Sequence, residues 1–402
     1  MILRFFAAVA IAAIAAGSAF AQGSLPGVSA TEIRIGQTMP YSGPASAFGS
    51  VGRAAGAYFA KINKEEGGIN GRKINFMSLD DGYSPPKTFE MTRRLVEQDD
   101  VLLIFGTLGT PTNTSIHKYL NAKGVPQLFI TTGADKWADP KNFPWTMPGM
   151  VSYQTEGAIY ARHLIATKPG AKVVLLYQND DFGKDYVAGF RRALGERAKE
   201  MVVAEATYEV TDATIDSQIV ALKSTGAEAL FGVTVGKFTS QMIRRVYDIG
   251  WRPEFFFVPT SATSIKNFLE PAGLDKSVGL ITAGHRKSMD DPQWADDPAV
   301  KGYYAFMKEY LPEANPNDTS HLQGYDGAML LVRVLKQAGS DLSRKNVMAQ
   351  AANLKNVVLP TFLPGIVLET GPDDYLPVQQ MRLQRFDGKS WVQFGDIISD
   401  RH

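Results

Sequence analysis

A chain of 402 residues, 45% hydrophobic and 21% charged, is long enough to bury a large core and favours two domains over one. Lys plus Arg number 42 against 41 Asp plus Glu, so there is no excess positive charge to neutralise phosphates, and nucleic acid is excluded as a general partner. Cysteine is absent, and with it go disulfides, thiolate metal sites and cysteine nucleophiles.

Met1-Ile2-Leu3-Arg4 makes a short basic start, Phe5 to Ala16 is almost wholly apolar, and Ala19-Phe20-Ala21 has the small-x-small form of a cleavage site. Residues 1–21 therefore read as a secretory signal cleaved after Ala21, since the apolar run is shorter than the about 20 residues a spanning helix needs. No later segment is long and apolar enough to cross a bilayer, so the mature chain is expected in the periplasm without membrane insertion.

From Glu32 onward, short β-branched runs alternate with amphipathic stretches, the pattern of parallel βαβ units. The first half predicts strands at 33–36, 73–79, 101–105 and 127–131, with helices at 51–66, 86–98 and 112–123 between them. The pattern then restarts, with strands at 172–177, 202–208, 229–233 and 255–258 and helices at 155–166, 186–198, 215–224 and 239–249. The fold class is thus α/β, with two doubly wound, mainly parallel lobes.

In such sheets ligands bind beyond the carboxyl ends of the strands, which directs attention to the loops after Ile35, Phe105, Ile130, Tyr177, Val233 and Val258. These loops are rich in glycine, hydroxyls and an occasional aromatic, as strand-to-helix turns often are; it is their convergence that is informative. The stretch Phe105-Gly-Thr-Leu-Gly-Thr-Pro-Thr-Asn113 is the clearest. Pro111 suits the first helical position, which makes Thr110 the expected N-cap and turns the N–H groups of Thr112 and Asn113 outward. With the helix dipole they would hold a carboxylate without any arginine, or else the capped end simply faces water.

Other motifs carry less. Gly232-Val-Thr-Val-Gly236-Lys237 has three residues between its glycines and Phe238 after the lysine, so it is not a phosphate-binding loop. His117, His163, His285, His321 and His402 show no metal-ligand spacing, and none accompanies a nucleophile-elbow serine. Asp80-Asp81 and Asp180-Asp181 suit turns better than acid–base work. Neither a metal nor a cofactor is called for, and the expectation is a binder. The rival classes are an exported amidase-like enzyme, with Asp180 or Asp181 as base, and a receptor-linked ligand sensor.

Ser42-Gly43-Pro44 with Phe48-Gly49, Ile62 to Arg72 with its Glu66-Gly67-Gly68-Ile69-Asn70-Gly71 turn, Gly106 to Asn113, Asp181-Phe182-Gly183 and Tyr325-Asp326-Gly327-Ala328 form a set. Together they resemble the periplasmic solute-binding proteins of the branched-chain amino acid type, which serve ATP-driven ABC importers. The resemblance runs from Ile33 to about Ile398 and implies the type I fold, a three-segment hinge, and lobes at 31–147 plus 284–356 and 148–283 plus 357–402. It also implies permease subunits as partners, a monomer, and a small carboxylate ligand held near Phe48, Leu108, Gly109, Thr110, Gly133, Ala134, Asp135, Tyr153, Phe182, Val235 and Thr260. Where the family's amino-acid binders hold the ammonium with Glu and Tyr, this chain has Thr260 and either Val235 or Gly236. Either Asp135 takes that role for a hydrophobic amino acid, or the ligand is a hydrophobic or aromatic acid without an amine.

Overall fold

The computed structural model describes residues 25–399, so the expected signal over 1–21 lies outside the described residues. The first sheet is wholly parallel, in the order β2-β1-β3-β4-β5. Its strands are β1 (Glu32–Met39), β2 (Lys73–Asp80), β3 (Leu103–Phe105), β4 (Gln127–Ile130) and β5 (Thr146–Pro148). Val101, Leu102, Leu103 and Ile104 are all buried, as a strand covered by helices on both faces requires. Helices Gly49–Glu65, Pro85–Glu97 and Thr110–Lys123 make the crossovers.

The second sheet runs β12-β11-β10-β9-β8-β6-β7. Its parallel part comprises β6 (Val173–Gln178), β7 (Val202–Tyr208), β8 (Ala229–Val233), β9 (Phe255–Phe257) and β10 (Leu280–Gly284). Antiparallel β11 (Gln380–Phe386) and β12 (Trp391–Ser399) extend it. The chain passes between the two bodies three times: after β5, after β10, and before β11. Between the last two passages, helix Thr319–Ala338 returns to pack along Gly49–Glu65. A Cβ on Gly324 would lie 2.0 Å from the Val51 carbonyl oxygen, so only glycine permits that backbone approach.

The two-lobed α/β architecture agrees with the sequence pattern, and the differences have local causes. Helix Asp181–Leu194 begins five residues before the expected 186, because the Asp180 carboxylate accepts the N–H groups of Phe182 (3.0 Å) and Gly183 (3.3 Å) and starts the helix there. Helix Tyr153–Thr167 likewise begins at a cap, Ser152, which accepts from Thr155 N at 3.1 Å. β5 spans three residues and ends on Pro148, too short for a periodic signal, β10 was not among the expected strands, and β11–β12 follow a long irregular segment.

Candidate functional site

The loops at the carboxyl ends of all the parallel strands except β7 line one cavity of ≈ 130 Å³ between the two bodies. Its position follows from the doubly wound topology, which turns these loops toward each other. Asp80 fixes the loop after β1. Its carboxylate accepts from Tyr41 N (2.9 Å), Ser42 N (3.1 Å), Gly82 N (3.0 Å), the Ser42 hydroxyl (2.6 Å) and Lys87 Nζ (3.0 Å). Burial opposes ionisation, but the bonds from Ser42, Lys87 and Gly82 outweigh it and hold the carboxyl well below the usual range. Asp80 is a turn clamp, and the loop it holds carries Phe48, which meets Phe268 of the other lobe at 5.6 Å between ring centroids.

The stretch after β3 is built around two glycines. Gly109 has φ +100°, and a Cβ there would lie 2.4 Å from the Tyr83 ring. That conformation makes Gly109, not Thr110, the N-cap residue, and the helix starts without a side-chain cap. This corrects the expected geometry: the Asn113 N–H already donates to the Gly109 carbonyl at 3.1 Å, and neither Thr112 nor Asn113 is among the cavity-lining residues. The Asn113 side chain instead braces the loop from behind, donating to Thr107 O (2.9 Å) and Gly109 O (2.7 Å) and accepting from Gln127 Nε2 (2.7 Å).

Thr110 does reach the cavity, as do Leu108 and Gly109. Its hydroxyl lies 2.6 Å from that of Thr132. Burial pushes the Tyr153 hydroxyl up to about 12, partly offset by hydrogen bonds with Thr132, the Gly133 backbone and Thr110, so it stays neutral. A helix start therefore borders the cavity together with Thr110 and Tyr153, and the Thr132 hydroxyl lies behind them.

From the second lobe come Phe182, Val235 and Thr260. Phe182 stands edge-on to Tyr153, with centroids 5.2 Å apart at 90°. Thr260 is held from behind: its N–H donates to Glu156 Oε1 at 2.6 Å and its hydroxyl to Ala283 O at 3.0 Å. Glu156 is buried and also receives the Tyr160 (2.6 Å) and Tyr186 (2.8 Å) hydroxyls. Burial raises its carboxyl above the ordinary value against those three donors. Lys237, of the glycine-flanked segment, turns away to donate to Asp212 O at 2.7 Å.

Gly133, Ala134 and Asp135 are not brought to the cavity. The Gly133 carbonyl receives Tyr153 N at 2.7 Å. The Asp135 carboxylate accepts the Ser152 hydroxyl at 2.5 Å, and its N–H donates to Asp185 Oδ2 at 2.8 Å, so Asp135 acts as a strut between lobes. Sequence alone did not point to several other lining residues: Tyr83, which packs beside Gly109, and His285, Arg286, Lys287, Gln384 and Trp391. Arg286 Nε pairs with buried Asp326 at 2.6 Å, and Lys287 Nζ with Asp297 at 2.7 Å. Among the described residues lining the cavity there is no Asp or Glu. No group of three or more His, Asp or Glu side chains suits a metal among the described residues.

The family model for the periplasmic binding protein matches residues 32–390. The chain belongs to the periplasmic binding protein family. This binding protein is 22% identical over 340 residues to the Leu/Ile/Val-binding protein homolog 7 of Brucella suis biovar 1 (strain 1330), covering 82% of this chain and 81% of that one. Such likenesses set it on the type I, branched-chain amino acid side of the family. Its fold is similar to that of a branched chain amino acid ABC transporter from Thermus thermophilus with bound valine, with TM-score 0.81 and 16% identity over 93% of this chain and 98% of that one. It is also similar to a solute binding protein of an ABC transporter from R. palustris in complex with benzoate, with TM-score 0.76 and 22% identity over 92% and 98%. Proteins of this family bind small molecules and work with ABC permeases. No helix among the described residues of this binding protein is long and apolar enough to cross a membrane.

Proposed function

We propose that this chain is the periplasmic solute-binding component of an ABC importer and that it captures a small hydrophobic or aromatic carboxylic acid between its lobes. The observation that carries this is the cavity's chemistry. Phe48, Tyr83, Tyr153, Phe182 and Trp391 contribute to its walls, a helix start with Thr110 and Tyr153 borders it, its charged lining residues are Arg286 and Lys287, and no described lining residue is acidic. A buried ammonium without a counter-charge is strongly unfavourable, whereas a carboxylate finds donors and a positive helix end. Asp135, the one candidate ammonium partner, has its carboxylate engaged by Ser152 outside the lining. The cavity of ≈ 130 Å³ suits a single ring, since a cavity of about 150 Å³ takes benzene.

Binding without chemistry is supported by the same walls. The Ser261 hydroxyl and His285 both line the cavity, but the Ser261 Oγ has no hydrogen-bond partner, so no base activates it. We assign the lobes to 31–147 plus 284–356 and 148–283 plus 357–402, with 1–21 as the cleaved export signal. Closure is favoured by contacts that need both lobes. Lys136 meets Asp181 at 2.5 Å, and Asp318 accepts from Ser264 (3.1 Å) and Asn267 (2.9 Å). Closure of the two lobes on the ligand then presents one combined surface to the permease.

Isothermal titration calorimetry of the mature protein with benzoate and with valine tests this. Benzoate is expected to bind, raise the melting temperature and be recovered unaltered, while valine binds at least about a hundredfold more weakly, as an uncompensated buried charge demands. Tight binding of valine alone would overturn the assignment of ligand class.

A further inference from the structure

Arg286 and Lys287 both line the cavity, and the fold engages them differently. They follow β10, where the chain pairs with the passage before β11: Arg286 forms an antiparallel bridge with Phe362, Lys287 N donates to Thr361 O at 2.9 Å, and Leu363 N donates to His285 O at 3.0 Å. Lys287 is absorbed by this frame. Only 8% exposed, it donates Nζ to Asp297 at 2.7 Å and to the Pro360 carbonyl at 2.9 Å. Arg286 is engaged at one nitrogen alone. Its Nε donates to Asp326 Oδ2 at 2.6 Å, and Asp326 Oδ1 accepts the Thr361 hydroxyl at 2.6 Å, which fixes the guanidinium through a carboxylate that does not line the cavity. The Arg286 side chain keeps 16% exposure, and among the described residues neither Nη has an acceptor and neither is an enclosed atom.

We infer that Arg286 is a second anion anchor, so that the preferred ligand carries two acid groups, one at the Thr110 helix start and one on the Arg286 Nη groups. This rests on the carboxylate reading given above. A guanidinium only donates, in a planar fork, and its complement is a group that only accepts. A carboxylate takes two such N–H groups in parallel, whereas a hydroxyl would leave its own proton without an acceptor on this residue and an amine would add like charge. Nothing acidic in the described lining competes for the fork, because Asp326 and Asp297 both stand outside it. Fixed by Asp326 and Thr361, the guanidinium is already ordered, so less freedom is lost when an anion is bound. There is also room. A smaller cavity of ≈ 20 Å³ shares Lys287, Ser288, Thr319, Leu322 and Trp391 with the main one, so the space continues past this segment. The ligand class is therefore an aromatic dicarboxylate.

Calorimetry with benzoate, isophthalate and terephthalate tests the inference on the mature wild-type protein, on Arg286→Gln and on the double variant Arg286→Gln/Asp326→Asn. The double variant removes the Asp326 charge together with its partner, so no buried carboxylate is left unpaired to unfold the chain. In the wild type, the better diacid is expected to bind about tenfold or more tightly than benzoate, the gain that hydrogen bonds to a charged group supply. In the double variant that ratio should fall to one or below. A wild-type ratio near one, with benzoate bound, overturns the second anchor and leaves the Thr110 reading standing. A ratio that persists in the double variant, with benzoate and diacid losing affinity equally, also overturns it. If benzoate fails to bind while a diacid binds and loses at least about tenfold in both variants, the Arg286 anchor stands and the single-acid reading falls.

Discussion

Among the helices that begin at the cleft, one from each lobe shows how differently the unpaired N–H groups are settled. Helix Asp181–Leu194 is closed by its own chain: the Asp180 carboxylate takes the N–H groups of Phe182 and Gly183. Burial raises that carboxyl despite the hydrogen bonds it accepts from Gln178, Gly183 and Phe182. Helix Thr110–Lys123 starts from Gly109, which has no side chain to offer, and Thr110 turns its hydroxyl to Thr132 at 2.6 Å rather than to the helix. An acidic cap neutralises one dipole internally, and the other dipole is left for whatever enters the cavity. These two helix starts thus differ in the residue that precedes them, an aspartate in one and a glycine in the other.

If this contrast governs binding, a carboxylate added at the open helix start should have the largest effect. Two like charges about 4 Å apart repel by about 4 kcal/mol at the effective dielectric of a partly exposed site, so Thr110→Asp should weaken benzoate binding by at least about a hundredfold. Calorimetry on a variant with an unchanged far-ultraviolet circular dichroism spectrum reads this, and an affinity within about threefold of wild type would break the contrast. The smallest effect belongs to the closed helix start. Asp180→Ala removes a cap worth about 1 kcal/mol and should lower the melting temperature by about 1–2 °C in a chain of this size. Its affinity for benzoate should stay within about twofold, and a collapse would show that the second lobe, not the first, supplies the anion's donors.

The strands β1 to β4 and β6 to β9 were legible because burial imposes a pattern. The run at 101–104 and the strand at 229–233 are apolar on both faces, and a parallel sheet demands that of its strands. The convergence of Phe48, Leu108, Gly109, Thr110, Tyr153, Phe182, Val235 and Thr260 was legible for the same reason, since topology decides which loops meet. What sequence could not supply was direction within a loop. The positive φ of Gly109 moved the helix start by one residue and took the Asn113 amide out of the site. Asp135 follows Gly133 closely in sequence but turns to Ser152 and Asp185. His285, Gln384 and Trp391 reach the cavity from the crossing segment and from β11 and β12, with no motif linking them to the loops they face.

The central claim is that an uncharged helix start and its hydroxyls hold the ligand's acid group. A crystal structure of the mature protein with benzoate tests it most directly. The account predicts the carboxylate within about 3 Å of the Thr110 N–H and hydroxyl and of the Tyr153 hydroxyl, with the ring beside Phe48 and Phe182. A carboxylate seated on Arg286, with only solvent at Thr110, would contradict it.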